Sequence, residues 1–196
     1  MKRVVALILA VLLLSGCTAG APDATPDAAQ PTTGTLPNRF SGLGGQMPEL
    51  TVNTASGQSL TISQLLQEKK LIVLNFWFED CPWCLKEFPA MEVAYQKYRD
   101  DVQIMALNPA DGAEAVKAFQ ESRGMSISMA ACSANLARQC GVAAYPTSIF
   151  IDRNGTVCLI HVGAVTTSGA WESLFDAFVG DDYEQKIYNS AEDILG

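Results

Sequence analysis

The sequence predicts an α/β fold, a central β-sheet with helices on both faces, and three observations carry that reading. Segments of strand and helix character alternate from about residue 44 to residue 180. One of them, Leu71-Ile72-Val73-Leu74-Asn75-Phe76-Trp77, is almost continuously apolar, as a central strand covered on both faces must be. Further along, Asn154-Gly155 separates two apolar runs, the signature of a tight hairpin.

The elements follow in order. Leu50–Val52 and Ser59–Thr61 flank Ser56-Gly57, a turn signal, and form a small hairpin. Thr61 followed by Gln64 resembles a capping box for a short helix through Gln67. After the central strand comes a helix from Pro82 to Tyr98, with Phe88, Met91 and Tyr95 as its apolar stripe and a kink expected at Pro89. Val102–Leu107 is the next strand and Ala113–Arg123 the next helix. Ile127–Ala131 reads as extended and Ala134–Gln139 as a short helix. Ser148–Ile151 and Thr156–Val162 are the arms of the Asn-Gly hairpin. Ser168 is placed to cap a closing helix that buries Trp171, Leu174, Phe175 and Phe178. Residues 181–196 form an acidic, helix-capable tail.

The chain start carries an address. Lys2 and Arg3 precede an apolar run, Val4–Leu14, too short to span a bilayer, so residues 1–17 read as an export leader. Leu14-Ser15-Gly16-Cys17 resembles the lipobox of bacterial lipoproteins. That resemblance implies cleavage before Cys17, lipidation of Cys17, and an extracytoplasmic domain anchored to the bacterial cell membrane. Firm anchoring takes more than one acyl chain. Residues 18–43, rich in Ala, Pro, Thr, Gly and Asp, read as a flexible linker. Its random-coil reach is roughly 30 Å. Residues 44–180 then form one domain. The net charge is −8, and losing Lys2 and Arg3 with the leader takes it to −10. Such a chain is not built for nucleic acid or for electrostatic attachment to a membrane.

Six cysteines divide by context. Cys81-Pro82-Trp83-Cys84 lies where the central strand gives way to a helix. Free N–H groups and the positive end of the helix dipole there stabilise a negative sulfur, making Cys81 an activated thiolate that can close a reversible disulfide with Cys84. Pro82 suits the first helical position, where its missing N–H costs nothing. A zinc site would need further Cys or His ligands at close spacing, and none follow, so no metal or cofactor is expected. Export permits structural disulfides. Cys132–Cys140, flanking the short helix, is the candidate pair among the remaining cysteines; buried free thiols at Cys132, Cys140 and Cys158 are the other reading.

The element order, with CxxC after the first central strand and Pro-Thr before the last hairpin, resembles the thioredoxin fold. More closely, the chain resembles the TlpA/ResA-like branch of membrane-tethered thiol-disulfide oxidoreductases. The resemblance rests on Leu74-Asn75-Phe76-Trp77, on Cys81-Pro82-Trp83-Cys84-Leu85-Lys86-Glu87-Phe88-Pro89, on Gly141-Val142-Ala143-Ala144-Tyr145-Pro146-Thr147, and on Ile151-Asp152-Arg153-Asn154-Gly155. It implies a mixed central sheet, an N-terminal β-hairpin extension, and an insertion before a cis-proline loop at Tyr145-Pro146. Tyr145 and Pro146, with Pro82 and Trp83, would then face an extended client segment. It further implies that Cys81 attacks a client disulfide and that Cys84 resolves the mixed disulfide. Glu87, three residues after Cys84 on the same helical side, matches the family's active-site glutamate and would exchange protons with Cys84. A solvated surface carboxylate is the alternative for Glu87.

Direction and partners follow less directly. Glu79 and Asp80 stand before Cys81, where this branch usually has Trp. Two carboxylates disfavour the thiolate by like-charge repulsion and make the dithiol a better reductant. The Cys-Pro-x-Cys order instead resembles oxidants of the DsbA type, although Trp83 replaces their cationic His. A reductase of exported proteins is the prediction, with a DsbA-type oxidant as one alternative. Family logic supplies a CcdA/DsbD-like membrane electron donor, and clients such as apocytochrome c or a methionine sulfoxide reductase. A monomer is expected. A second alternative is a Sco-like copper chaperone using Cys81, Cys84 and His161, although Sco cysteines are spaced differently. A peroxidase lacks its Pro-x-x-x-Thr-x-x-Cys framing here. A binding module stapled by Cys81–Cys84 would gain little from so short a loop.

Overall fold

The computed structural model describes residues 35–196, so the leader, Cys17 and most of the linker lie outside the described residues. Among the described residues five strands form one mixed sheet, in the spatial order 128–131, 102–108, 71–76, 147–152 and 157–162. β3 (Leu71–Phe76) is central, parallel to β4 (Val102–Asn108) and antiparallel to β6 (Thr147–Asp152). β5 (Ser128–Ala131) adds parallel to β4, and β7 (Val157–Val162) antiparallel to β6. A separate two-stranded hairpin, β1 (Thr51–Asn53) and β2 (Ser59–Thr61), lies outside this sheet. It leans on the sheet edge through Ala55 N–H, which donates to Met129 O at 2.7 Å.

Alternation along β3 assigns the two faces. Leu71, Val73 and Trp77 pack with α2 (Pro82–Tyr98), α3 (Ala113–Arg123) and α5 (Ala170–Val179). Ile72, Leu74 and Phe76 pack with α1 (Ile62–Glu68) and α4 (Ala134–Gln139). All six residues of β3 are buried, the outcome expected of a strand sandwiched between helices. Thr61 caps α1 as its sequence suggests, accepting from Gln64 N at 3.3 Å. α2 runs unbroken through Pro89.

Three local readings change. α5 is opened by Gly169 at φ 80°, with no side-chain cap, so Ser168 does not cap it. A bulge between Phe150 and Ile151 shifts the β6–β7 register, and Cys158 and Leu159 both reach the α2 face where strict alternation would separate them. The pairing Cys132–Cys140 is not formed; among the described residues both thiols are free, and both are buried. Burial pushes both thiols up to about 12, as befits small core hydrophobes.

Both ends of the described chain pack on the domain. Leu36 is buried and its N–H donates to Gln139 Oε1 at 3.0 Å. Gly44 and Gly45 bond Val157 along the outer edge of β7. Residues 181–196 continue this cover: Tyr188 N–H donates to Cys158 O, and the Tyr188 ring meets Phe178 edge-on. Tyr183 donates to the fully buried Asp152 at 2.9 Å, while Asn154 and Thr156 amides fill the other carboxylate oxygen. Arg153 donates to the carbonyls of Phe178 and Gly180. This cover pairs the first residues of the β7 edge, where open N–H and C=O groups would invite strand addition.

Candidate active site

The end of β3 and the start of α2 build the site. β3 ends at Phe76, Trp77 anchors the exit between Phe88 and Phe119, and Phe78-Glu79-Asp80 forms a short loop. Cys81 is then the N-cap of α2 and Pro82 its first residue. The Cys84 amide, one of the helix's unpaired donors, points at Cys81 Sγ at 3.2 Å. Cys81 and Cys84 are joined as a disulfide with Cα atoms 5.3 Å apart. Their surroundings differ. Cys81 is 3% exposed at the helix mouth, Cys84 is fully enclosed, and Trp83 between them stands 58% exposed. Lys86 lies over the Trp83 ring at 4.1 Å.

The neighbouring loops converge on this point. The register pairs Phe76 with Thr147, which sets the peptide before Thr147 beside the end of β3. The Tyr145-Pro146 peptide, one residue further back, is cis. The Tyr145 ring meets Phe78 edge-on at 5.3 Å, so the cis-proline loop touches the loop leading into Cys81. Thr147 Oγ1 donates to Ala144 O and Gly163 N–H donates to Pro146 O, tying both flanks down. Asp111, from the loop after β4, accepts from Glu79 N–H and Asn108 Nδ2, each at 2.8 Å. Glu79 and Asp80 themselves are exposed.

Beneath the disulfide lies a carboxyl group with no access to water. Glu87 occupies the buried stripe of α2 with Cys84, Phe88 and Met91, one turn after Cys84. Asn75 Nδ2 donates to its Oε1 at 2.9 Å and Val165 N–H to its Oε2 at 3.2 Å. Asn75 Nδ2 also donates to Ser148 Oγ at 3.0 Å. Burial pushes the carboxyl up to about 7, against the pull of the Asn75 and Val165 donors, which favour the anion. The solvated alternative for Glu87 therefore does not describe this fold. Sequence reasoning missed Ser148, Asp111 and the Val165 amide. Asn75 alone carried a signal, as a polar residue in an apolar strand.

His161 stands on β7, the strand beyond β6. It pairs with Ser148 across the sheet, is half-buried, and feels the charge of Glu192 of the C-terminal helix α6 (Glu192–Leu195). Among the described residues, no group of three or more His, Cys, Asp or Glu side chains is placed to hold a metal ion.

Comparisons with known proteins agree with this geometry. The AhpC/TSA family model matches residues 43–160. The thioredoxin-like protein YneN of Bacillus subtilis is 30% identical over 126 residues, covering 63% of this chain and 73% of YneN. The thiol-disulfide oxidoreductase ResA of Bacillus anthracis is 32% identical over 126 residues, 63% of this chain and 72% of ResA. Among solved structures, a Chlorobium tepidum protein proposed to be the thiol:disulfide interchange protein DsbE superposes with a TM-score of 0.58 at 27% identity. It covers 68% of this chain and 93% of its own.

Proposed function

The chain belongs to the AhpC/TSA family and is a thiol-disulfide oxidoreductase of the ResA type, and from that premise we propose that it works outside the cytoplasm as a lipid-anchored reductase of disulfides in exported proteins. The observation that carries the mechanism is the buried Glu87 one turn below Cys84, held in a state poised near neutrality.

The thiolate of reduced Cys81 attacks one sulfur of the client disulfide. A Cys81–client bond forms, and the client's other sulfur leaves as a thiolate that takes a proton from water. Cys84 gives its proton to Glu87 and attacks Cys81 Sγ. The Cys81–client bond breaks, the client leaves fully reduced, and the two electrons it gained are matched by the Cys81–Cys84 disulfide. Glu87 keeps the proton until a donor dithiol re-reduces the pair. That donor is a membrane protein of the CcdA/DsbD kind.

Two features support the reductive direction. The exposed pair Glu79 and Asp80 sits beside Cys81, where repulsion disfavours the thiolate and so the reduced form. Trp83 supplies no cation between the cysteines. Trp83, Pro82, Tyr145 and Pro146 form the client-facing surface, with the aromatic rings as contact area. A copper-chaperone role has no gathered ligand set to rest on among the described residues. Among those residues no helix is long and apolar enough to cross a membrane; the anchor in this reading is the lipid on Cys17, from its lipobox-like sequence.

The test is single-turnover exchange with a disulfide-bonded peptide. Cys84→Ser should accumulate the mixed disulfide at Cys81. Glu87→Gln should leave the first attack near wild type, slow resolution roughly tenfold or more, and flatten its pH profile near pH 7. Resolution with unchanged rate and pH profile in Glu87→Gln would overturn the mechanism.

A further inference from the structure

We propose that Asn75 is a positioning residue for the proton that Glu87 carries, and that Ser148 pins Asn75 in the orientation this requires. The inference rests on Glu87 taking the proton of Cys84. Asn75 sits mid-strand in β3, between Val73 and Trp77 on the α2 face, where an apolar side chain would pack. Its amide spends both donated bonds in one direction, to Glu87 Oε1 at 2.9 Å and to Ser148 Oγ at 3.0 Å. Its own Oδ1 is buried and, among the described residues, has no hydrogen-bond partner. An amide oriented for its own sake would satisfy that oxygen. This one is turned so that its donors meet a carboxylate, which in its charged form only accepts.

Ser148 makes the orientation firm. It lies directly across from Asn75 in the β3–β6 register, so its hydroxyl takes the second N–H and fixes the plane of the amide. With Ser148 in place, the first N–H is aimed at Glu87 and has nowhere else to turn.

The surroundings leave the amide unusual leverage. Facing Glu87 are Cys84 from α2 itself, Asn75 from β3, Ser148 from β6 through Asn75, and the Val165 amide from the segment between β7 and α5. His161 on β7 answers to Glu192 instead. Among the described residues no charged side chain contributes to the state of Glu87. Two neutral donors therefore oppose burial, and only one of them, Asn75, is a side chain. It stabilises the anion that Glu87 becomes when it returns its proton, and so sets the pH range in which the proton moves in both directions.

The experiment is an infrared titration of the full-length oxidised protein, following the carboxylic C=O band that Glu87→Gln removes. The pH profile of resolution is measured in parallel from a Cys81–glutathione mixed disulfide. Asn75→Ala should raise the midpoint of the band by roughly one pH unit or more, a tenfold weaker acid, as expected for a lost charge-assisted hydrogen bond. Ser148→Ala should move it the same way by less, and the rate profile should follow in both variants. Ser148→Ala removes a single oxygen, so it decides the matter if Asn75→Ala does not fold. A midpoint unmoved in both folded variants, or in Ser148→Ala alone where Asn75→Ala does not fold, while Glu87→Gln alters the rate profile, overturns this inference alone. An unaltered rate profile in Glu87→Gln overturns the role of Glu87, and the inference with it.

Discussion

Replacing Glu87 by glutamine should change how the stability of the oxidised protein depends on pH. The carboxyl is fully enclosed and pushed up from 4.5 to about 7, chiefly by burial. A group whose folded pKa is raised binds its proton more tightly when folded. Its stabilising contribution is therefore full below pH 4.5 and is lost as pH rises toward and through about 7. The shift corresponds to roughly 3 kcal/mol in total, of which about 2.5 kcal/mol falls between pH 5 and pH 8. Glu87→Gln cannot titrate, so any constant penalty for the altered hydrogen bonds to Asn75 and Val165 appears equally at both pH values. Urea unfolding of wild type and Glu87→Gln at pH 5 and pH 8 isolates the titrating part. Wild type should lose about 2 to 3 kcal/mol relative to the variant on going to pH 8. A difference that stays within about 0.5 kcal/mol would refute the claim that Glu87 is a buried carboxyl with a raised proton affinity.

Two further outcomes follow from the same structure. Tyr183→Phe removes one of three donors to the buried Asp152 and should destabilise by about 1.5 kcal/mol in chemical unfolding, with thiol exchange unaffected. Asp80→Asn removes one of the two exposed acids beside Cys81. It should raise the reduction potential of the pair measurably at low salt and less at high salt, since an exposed charge is screened.

Much of the fold was readable because its strongest elements state their own period. The run Leu71–Trp77 has no polar face to hide, Asn154-Gly155 forces a turn, and Thr61 with Gln64 caps α1. The disulfide followed from two cysteines at a helix start. Glu87 was harder. Its residue type says surface, yet it flanks Phe88 and stands one turn from both Cys84 and Met91, within the stripe that faces the sheet. Only its partner Asn75, polar in an apolar strand, hinted that the two are matched. Ser148 gave no hint, because its contact exists only through the β3–β6 register. The bulge at Phe150/Ile151 adds one residue that no alternation pattern reveals. The C-terminal segment reads as acidic by composition. Its role is carried instead by Tyr183 and Tyr188, which pack on Phe178, and by Ala191, which is fully buried.

The most direct measurement is the reduction potential of Cys81–Cys84 in the full-length protein, by equilibration with dithiothreitol or glutathione buffers. Cys81→Ser and Cys84→Ser serve as controls against the free cysteines. A reductase should show a potential near or below that of thioredoxin, about −270 mV. A value near that of DsbA, about −120 mV, would contradict the account and make the protein an oxidant of its clients.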